Sequence, residues 1–233
     1  MKSPFFIALA AAAVGLLIAS LLVIWPMFGS HDASPGPKAP SAAPWRIEVL
    51  APGRVQVMGL KLPGTTLANA RERWGQDLKL AFMAGSDGRL TLEGYLESFE
   101  AGGVTGRLML AFDTHSEAAA MRRWRDTLPG LPTASGGHQH ALNDAAVSAL
   151  ATSSLVGVSF IPLGQLDAEV LTARFGRPSE RIAMGGRLEH WLYPALGLAV
   201  VLDSEGREVL QYVAPDDFER LLAAPLRTVM PTR

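Results

Sequence analysis

A repeated pattern places the strongest constraint on how this chain of 233 residues can fold. Residues 66–75 read TLANARERWG and residues 167–176 read DAEVLTARFG. Each copy starts with a residue type that caps helices and ends in Arg, an aromatic residue and Gly. Gly75 and Gly176 can end a helix in the left-handed conformation, where a Cβ atom would be costly. These glycines are 176 − 75 = 101 residues apart, so the pattern predicts two related units.

Apolar segments with a period of two residues follow both copies of the pattern. Gly and Asp-Gly turns separate them, which is typical of antiparallel strands. We therefore predict an α+β fold of two tandem units, each with short helices packed on an antiparallel sheet. The first unit would cover residues 45–152 and the second residues 153–233. The sequence leaves open whether both units share one continuous sheet, although the strand-like residues 155–162 favour packing together.

The N-terminal part contains an uncharged apolar run over residues 5–25. As a helix this run would be about 30 Å long, which matches the hydrocarbon thickness of a bilayer. We therefore predict a single-pass transmembrane anchor over residues 1–28, followed by a Pro/Ala/Ser-rich linker over residues 29–44. Lys2 before the run favours a cytoplasmic N-terminus. The alternative is a cleaved signal peptide.

The composition excludes several classes of function. The chain has no cysteine, which rules out disulfides, thiolate zinc sites, a cysteine nucleophile and a lipid-bearing cysteine. Its 21 Lys and Arg against 22 Asp and Glu provide no basic surplus for nucleic-acid binding. No Gly-rich phosphate loop or hydrolase motif occurs, so we predict no catalytic residue and no cofactor.

The histidines offer the only candidates for a metal site. His138 and His140 are spaced as possible ligands, with Asp144 as a third, and the alternative is a polar surface loop. His190 alternates with apolar residues in a predicted strand, which indicates a structural role rather than that of a catalytic base.

A candidate partner-binding surface follows from alternation in two predicted strands. In residues 89–99, Glu93 and Tyr95 lie opposite a row of leucines. In the second unit, Glu189, Trp191 and Tyr193 lie opposite Leu188 and Leu192. If helices cover the leucines, the other face presents aromatic and charged side chains of the kind that protein interfaces use. The alternative places the aromatic residues in the core.

The second unit resembles the SmpA/OmlA-type (BamE-type) domain of small outer-membrane-assembly lipoproteins. The resemblance rests on Phe175-Gly176-Arg177-Pro178 at a helix end, on Trp191 and Tyr193 in one strand, and on the apolar strand and turn at residues 200–206. Such domains resemble the repeated fold of the β-lactamase-inhibitor protein. The resemblance implies a bacterial envelope module that binds or scaffolds proteins.

Together these observations predict a non-catalytic module in the inner membrane, with its bulk in the periplasm and another envelope protein as its partner. One alternative is an inhibitor or sensor of an envelope enzyme, or a cell-wall binder. A third hypothesis is a metal-dependent enzyme that uses His138 and His140.

Overall fold

Antiparallel strands dominate the part of the chain that the structure describes. The computed structural model describes residues 42–85, 89–115, 118–133, 136–184, 187–204 and 207–229. A small sheet contains β1 (Ile47–Ala51), β2 (Arg54–Val57) and β3 (Leu60–Leu62). A ten-stranded sheet contains β4 (Lys79–Ala84), β5 (Leu90–Ala101), β6 (Val104–Phe112), β7 (Gly130–Pro132), β8 (His138–Ala141), β9 (Leu155–Pro162), β10 (Glu180–Met184), β11 (Leu188–Tyr193), β12 (Leu198–Asp203) and β13 (Val209–Val213).

The described helices are short. They are α1 (Leu67–Trp74), α2 (Ala118–Thr127), α3 (Asp144–Ala149), α4 (Ala168–Phe175) and α5 (Ala224–Val229), the last preceded by the π-helical turn Glu219–Ala223. Side-chain caps define the starts of α1 and α4. The Thr66 hydroxyl accepts a bond from the Asn69 N–H, and the Asp167 carboxylate accepts one from the Val170 N–H. Both helices end at glycines with positive φ, Gly75 at 52° and Gly176 at 77°.

One continuous sheet joins the two predicted units, a question that the sequence had left open. The strand order is β10-β11-β12-β13-β9-β6-β5-β4-β8-β7, and each neighbouring pair is antiparallel. Strand β9 joins the two halves because it pairs with β6 on one side and with β13 on the other. The predicted α+β class of two helix-and-sheet units is therefore wrong. Helices are a minor component of a largely antiparallel β structure.

The prediction of a membrane-spanning helix is also corrected. Across the described ranges, no helix is long and apolar enough to cross a bilayer, and the longest α-helix, α2, has 10 residues. This finding contradicts the single-pass placement in the inner membrane. The predicted anchor over residues 1–28 lies outside the described residues, as does all but the last part of the linker over residues 29–44.

The two faces of the large sheet carry different side chains. On the face that we call the covered face, buried side chains pack with α1, α2, α4 and the small sheet. They include Phe82, Leu92, Leu108, Phe160, Trp191 and Tyr212. On the opposite face, which we call the reverse face, the C-terminal helical segment (residues 215–229) packs over the second half of the sheet. The cluster that it forms includes Leu192, Ala199, Val213, Phe218, Leu222 and Leu226. It extends to Met109 on β6, and Tyr95 and Ala111 pack against it.

Candidate functional site

A cleft of about 900 Å³ lies against the first half of the sheet. Reverse-face side chains of β4, β5, β6 and β8 contribute to its lining. The end of α1, which packs on the covered face, contributes Arg71, Arg73 and Trp74, so the lining comes from both sides of the sheet. The C-terminal helical segment packs over the other half of the reverse face and reaches Met109 on β6. The reverse-face part of the cleft therefore begins at the edge of that cluster.

Small residues flank a carboxyl group on this face. In the strand register, Glu93 on β5 lies opposite Ala81 on β4 and Ala111 on β6. Ala81 in turn lies opposite Ala141 on β8. Because directly opposite side chains are neighbours on one face of a sheet, methyl groups stand on both sides of the Glu93 carboxyl. We call this row of three alanines and Glu93 the alanine row.

Longer side chains stand on either side of the alanine row. Met83 on β4 and Gln139 on β8 lie opposite each other, two residues along the strands from Ala81 and Ala141. Tyr95 on β5 and Met109 on β6 lie opposite each other, two residues from Glu93 and Ala111 in the other direction. All four residues line the cleft. The Cα positions of the two pairs are four residues apart along a strand, which corresponds to about 13 Å. The two pairs therefore lie beyond opposite ends of the alanine row, measured along the strands.

Glu93 is the most unusual group in the cleft. The residue is 7 % exposed, and one carboxyl oxygen accepts a 2.8 Å hydrogen bond from the Thr91 hydroxyl. Within the described ranges no cation lies within 4.0 Å of this carboxyl. Burial raises the pKa of Glu93, and the Thr91 hydrogen bond only partly opposes that effect.

The basic residues around the cleft are held by other groups. Lys79, two residues along β4 from Ala81, donates from Nζ to the Gln76 carbonyl over 3.3 Å. Arg71 donates to the carbonyls of Gly75 and Leu78 over 2.6 Å and 3.0 Å. These hydrogen bonds stabilise the turn after α1, so the positive charges belong to the rim of the cleft.

Tyr95 is the aromatic residue on the reverse-face side of the cleft lining. It is partly buried, and burial is the main cause that raises the pKa of its phenol. Arg107 lowers that pKa and Glu97 raises it, which places one charge of each sign near the ring. Tyr95 therefore combines apolar surface with a polar end in a charged environment, as interface tyrosines do.

The remaining predicted binding residues lie elsewhere. Trp191 and Tyr193 are 2 % and 4 % exposed and belong to the core of the covered face. The Trp191 indole donates a 2.8 Å hydrogen bond to Glu189, and the Arg181 guanidinium lies 4.1 Å from the centre of its ring. The predicted surface that joined Glu189, Trp191 and Tyr193 to Tyr95 is therefore not formed, because these groups are on opposite faces of the sheet.

The predicted metal ligands have structural contacts. His138 and His140 have ring centres 6.4 Å apart, and His140 Nδ1 lies 3.0 Å from the Leu128 carbonyl oxygen. Asp144 lies 3.9 Å from Arg71. Over the residues that the structure describes, no group of three or more His, Asp and Glu side chains could hold a metal ion.

His190 is buried on the reverse face of the second half of the sheet. Its strand neighbours are Ile182 on β10 and Val201 on β12, both apolar. Its Nδ1 atom has no hydrogen-bond partner among the described residues. Burial lowers the pKa of His190 to about 4. The imidazole is therefore neutral at pH 7.

Sequence reasoning found Glu93 and Tyr95 but missed most of their surroundings. The alternation in β5 contains both residues, whereas Ala81, Met83 and Met109 come from strands whose register no local pattern specifies. The apolar residues within 79–84 and 104–112 were the only available signal, and they indicate strands rather than a cleft.

The chain was also compared with models of protein families, with curated proteins and with solved structures. None of the three comparisons finds a match.

Proposed function

We propose that this chain is a non-catalytic module that binds another protein, and that a segment of this protein docks in the cleft on the first half of the sheet. The observation that carries the proposal is the alanine row between two pairs of longer side chains. The small side chains of this row leave space between longer ones, and side chains of a docking segment can enter that space.

The residue types in the cleft support a protein partner. Tyr95, Met83 and Met109 supply aromatic and thioether surface on the reverse face, and Trp74 and Arg73 line the cleft from the covered face. Tyr, Trp, Met and Arg are enriched at the centres of protein interfaces, where they bury much apolar area around a few polar groups. Methionine also adapts to partners of different shape.

Selection from a displayed library of random peptides on the purified full chain tests this proposal. Ala81→Leu places a branched side chain in the alanine row, while Ala173→Leu adds the same atoms at an exposed position of α4. We expect selected peptides to bind the parent chain and Ala173→Leu equally, and to bind Ala81→Leu at least about tenfold more weakly, a difference of about 1.4 kcal/mol.

The selection can also contradict the proposal. Peptides that bind all three chains equally would place any binding outside the cleft. A library that yields no peptide sensitive to Ala81→Leu would remove the cleft as a docking site for protein segments. Unfolding curves for both leucine variants establish that the comparison is made on folded proteins.

A further inference from the structure

We infer that the docking segment inserts a lysine or arginine side chain into the cleft, where its charge pairs with the Glu93 carboxylate. This inference rests on the proposed protein-binding role, because it specifies the chemistry of the segment that docks there.

The position of Glu93 is the first argument. Glu93 is 7 % exposed as a residue, so its carboxyl has lost most of its hydration, and its one hydrogen bond, from Thr91, does not replace a counter-charge. Removing water from a carboxylate without a cation is costly, so the site is incomplete with respect to charge. A cationic side chain supplied by a partner would complete it.

Space around the carboxyl is the second argument. Ala81 and Ala111 flank Glu93 on both neighbouring strands, so no long side chain on either strand stands directly beside the carboxyl. Tyr95 lies two residues along β5 from Glu93 and lines the cleft, so its ring can pack against the methylene groups of an inserted lysine or arginine. Long basic side chains bind in this way, with an apolar stem in contact and the charge at the end.

The charged groups that surround Glu93 on its own face are the third argument. They are Lys79 on β4, Glu97 on β5 and Arg107 on β6, with the phenol of Tyr95 between them. Lys79 donates a hydrogen bond to the Gln76 carbonyl, and the positive charge of Arg107 lowers the pKa of Tyr95. Among the reverse-face residues of the lining, Glu93 and Glu97 supply two carboxylates against the one ammonium group of Lys79, and this balance favours a cation.

Two measurements on the selected peptides test the inference. The first is composition: peptides sensitive to Ala81→Leu should be enriched in lysine or arginine relative to the unselected library. The second compares one selected peptide with a copy in which its basic residue is glutamine. The parent chain should prefer the basic peptide by about tenfold or more, as expected for a charge-assisted contact of about 1.5–3 kcal/mol.

Matched variants assign this preference to Glu93. Glu93→Gln keeps the shape of the neutral carboxyl and its capacity to accept the Thr91 bond, and it should bring the preference close to one. Glu100→Gln changes an exposed glutamate near the end of the same strand and should leave the preference intact.

A pH series on the parent chain is independent of any variant. Affinity for the basic peptide should fall as the pH drops through the raised pKa of Glu93, while affinity for the glutamine peptide changes little.

The outcomes separate this inference from the proposal on which it rests. Peptides that need the alanine row but show no basic enrichment, or a preference that persists in Glu93→Gln, would overturn the inference and leave protein binding intact. An absence of peptides sensitive to Ala81→Leu would instead remove the proposed function itself.

Discussion

The Tyr212 hydroxyl donates a 2.8 Å hydrogen bond to the carbonyl of Pro44, which lies 168 positions earlier in the chain. Both residues are buried, so the bond fastens the segment before β1 to β13 in the core of the covered face. The contact of Trp45 with Arg174, 4.6 Å from the ring centre to the guanidinium carbon, holds the same segment against α4.

Removal of this hydroxyl should weaken the attachment. In Tyr212→Phe the Pro44 carbonyl stays buried without its donor, and we expect the free energy of unfolding to fall by about 1–3 kcal/mol. Backbone amides of residues 45–48 should exchange faster with solvent. Tyr193→Phe is a matched control, because that hydroxyl donates over a longer 3.2 Å to Gly176 and lies far along the chain from Pro44. Equal amide exchange of residues 45–48 in both variants would contradict the conclusion that the Tyr212–Pro44 hydrogen bond fastens this segment.

His190 should make the stability of the fold depend on pH. Its pKa is lowered from 6.5 to about 4 in the folded chain, so the unfolded chain binds the proton more readily between these values. Stability from the neutral, buried imidazole is complete above about pH 6.5 and declines as the pH falls toward 4. Between pH 7 and pH 5 the loss should be about 2 kcal/mol.

Urea unfolding at pH 7 and pH 5 checks this expectation. His190→Leu fits the apolar neighbours Ile182 and Val201 and removes the titrating group, so most of the difference between the two pH values should disappear. His138→Leu alters an exposed histidine and should retain the pH dependence of the parent chain. An unchanged difference in His190→Leu would show that other groups control the acid sensitivity.

Gln211 carries an amide whose nitrogen and oxygen are buried without hydrogen-bond partners in the described structure. It lies opposite Ser159 and Ala199 on the reverse face. We expect Gln211→Met, of similar length, to raise the free energy of unfolding by about 1–3 kcal/mol, because it removes unpaired polar atoms from the interior. In Gln56→Met the lost amide is hydrogen-bonded to Glu48, so this control should bring no gain. A loss of stability in Gln211→Met would indicate that the amide is satisfied.

Substitutions of Trp191 and of Tyr95 should have different effects, on stability and on peptide binding respectively, because the two residues lie on opposite faces of the sheet. Trp191→Ala leaves a cavity in the core and should cost about 3–5 kcal/mol of stability. The milder Trp191→Phe should keep the affinity for cleft-binding peptides. Tyr95→Ala should weaken peptide binding by about tenfold or more, since it removes a side of the cleft. Unfolding and binding measurements on the three variants check both effects, and a large loss of peptide affinity in Trp191→Phe would contradict this division.

Local signals in the sequence identified several elements of the fold. The cap at Asp167 and the glycine at residue 176 mark the ends of α4, and the apolar pattern over 104–112 coincides with β6. These features depend on neighbouring residues alone, so their physical causes are visible in the sequence. The strand-like residues 155–162 coincide with β9, but their two partners lie far away in the chain and had no local signal.

Alternation could not specify which face of the sheet the helices cover. In β5 the face with Leu92 is covered, whereas in β11 the face with Trp191 is covered and Leu192 lies on the reverse face. Both choices satisfy a period of two residues, and the difference comes from where the helices and the C-terminal segment pack. For the same reason the sequence placed Glu93 and Tyr95 correctly on one strand face but combined them with residues on the opposite side of the sheet.

The central position of β9 has a consequence for the order in which the chain can become ordered during synthesis. When residues 42–152 have left the ribosome, β6 still has an unpaired edge, because its second partner comes later in the chain. Once β9 has paired with β6, the exposed edge passes to β9 and remains until β13 arrives after residues 163–208. Unpaired sheet edges attract other chains, so nascent molecules are exposed to association during this interval. The completed fold removes the hazard by enclosing β9 between the two halves.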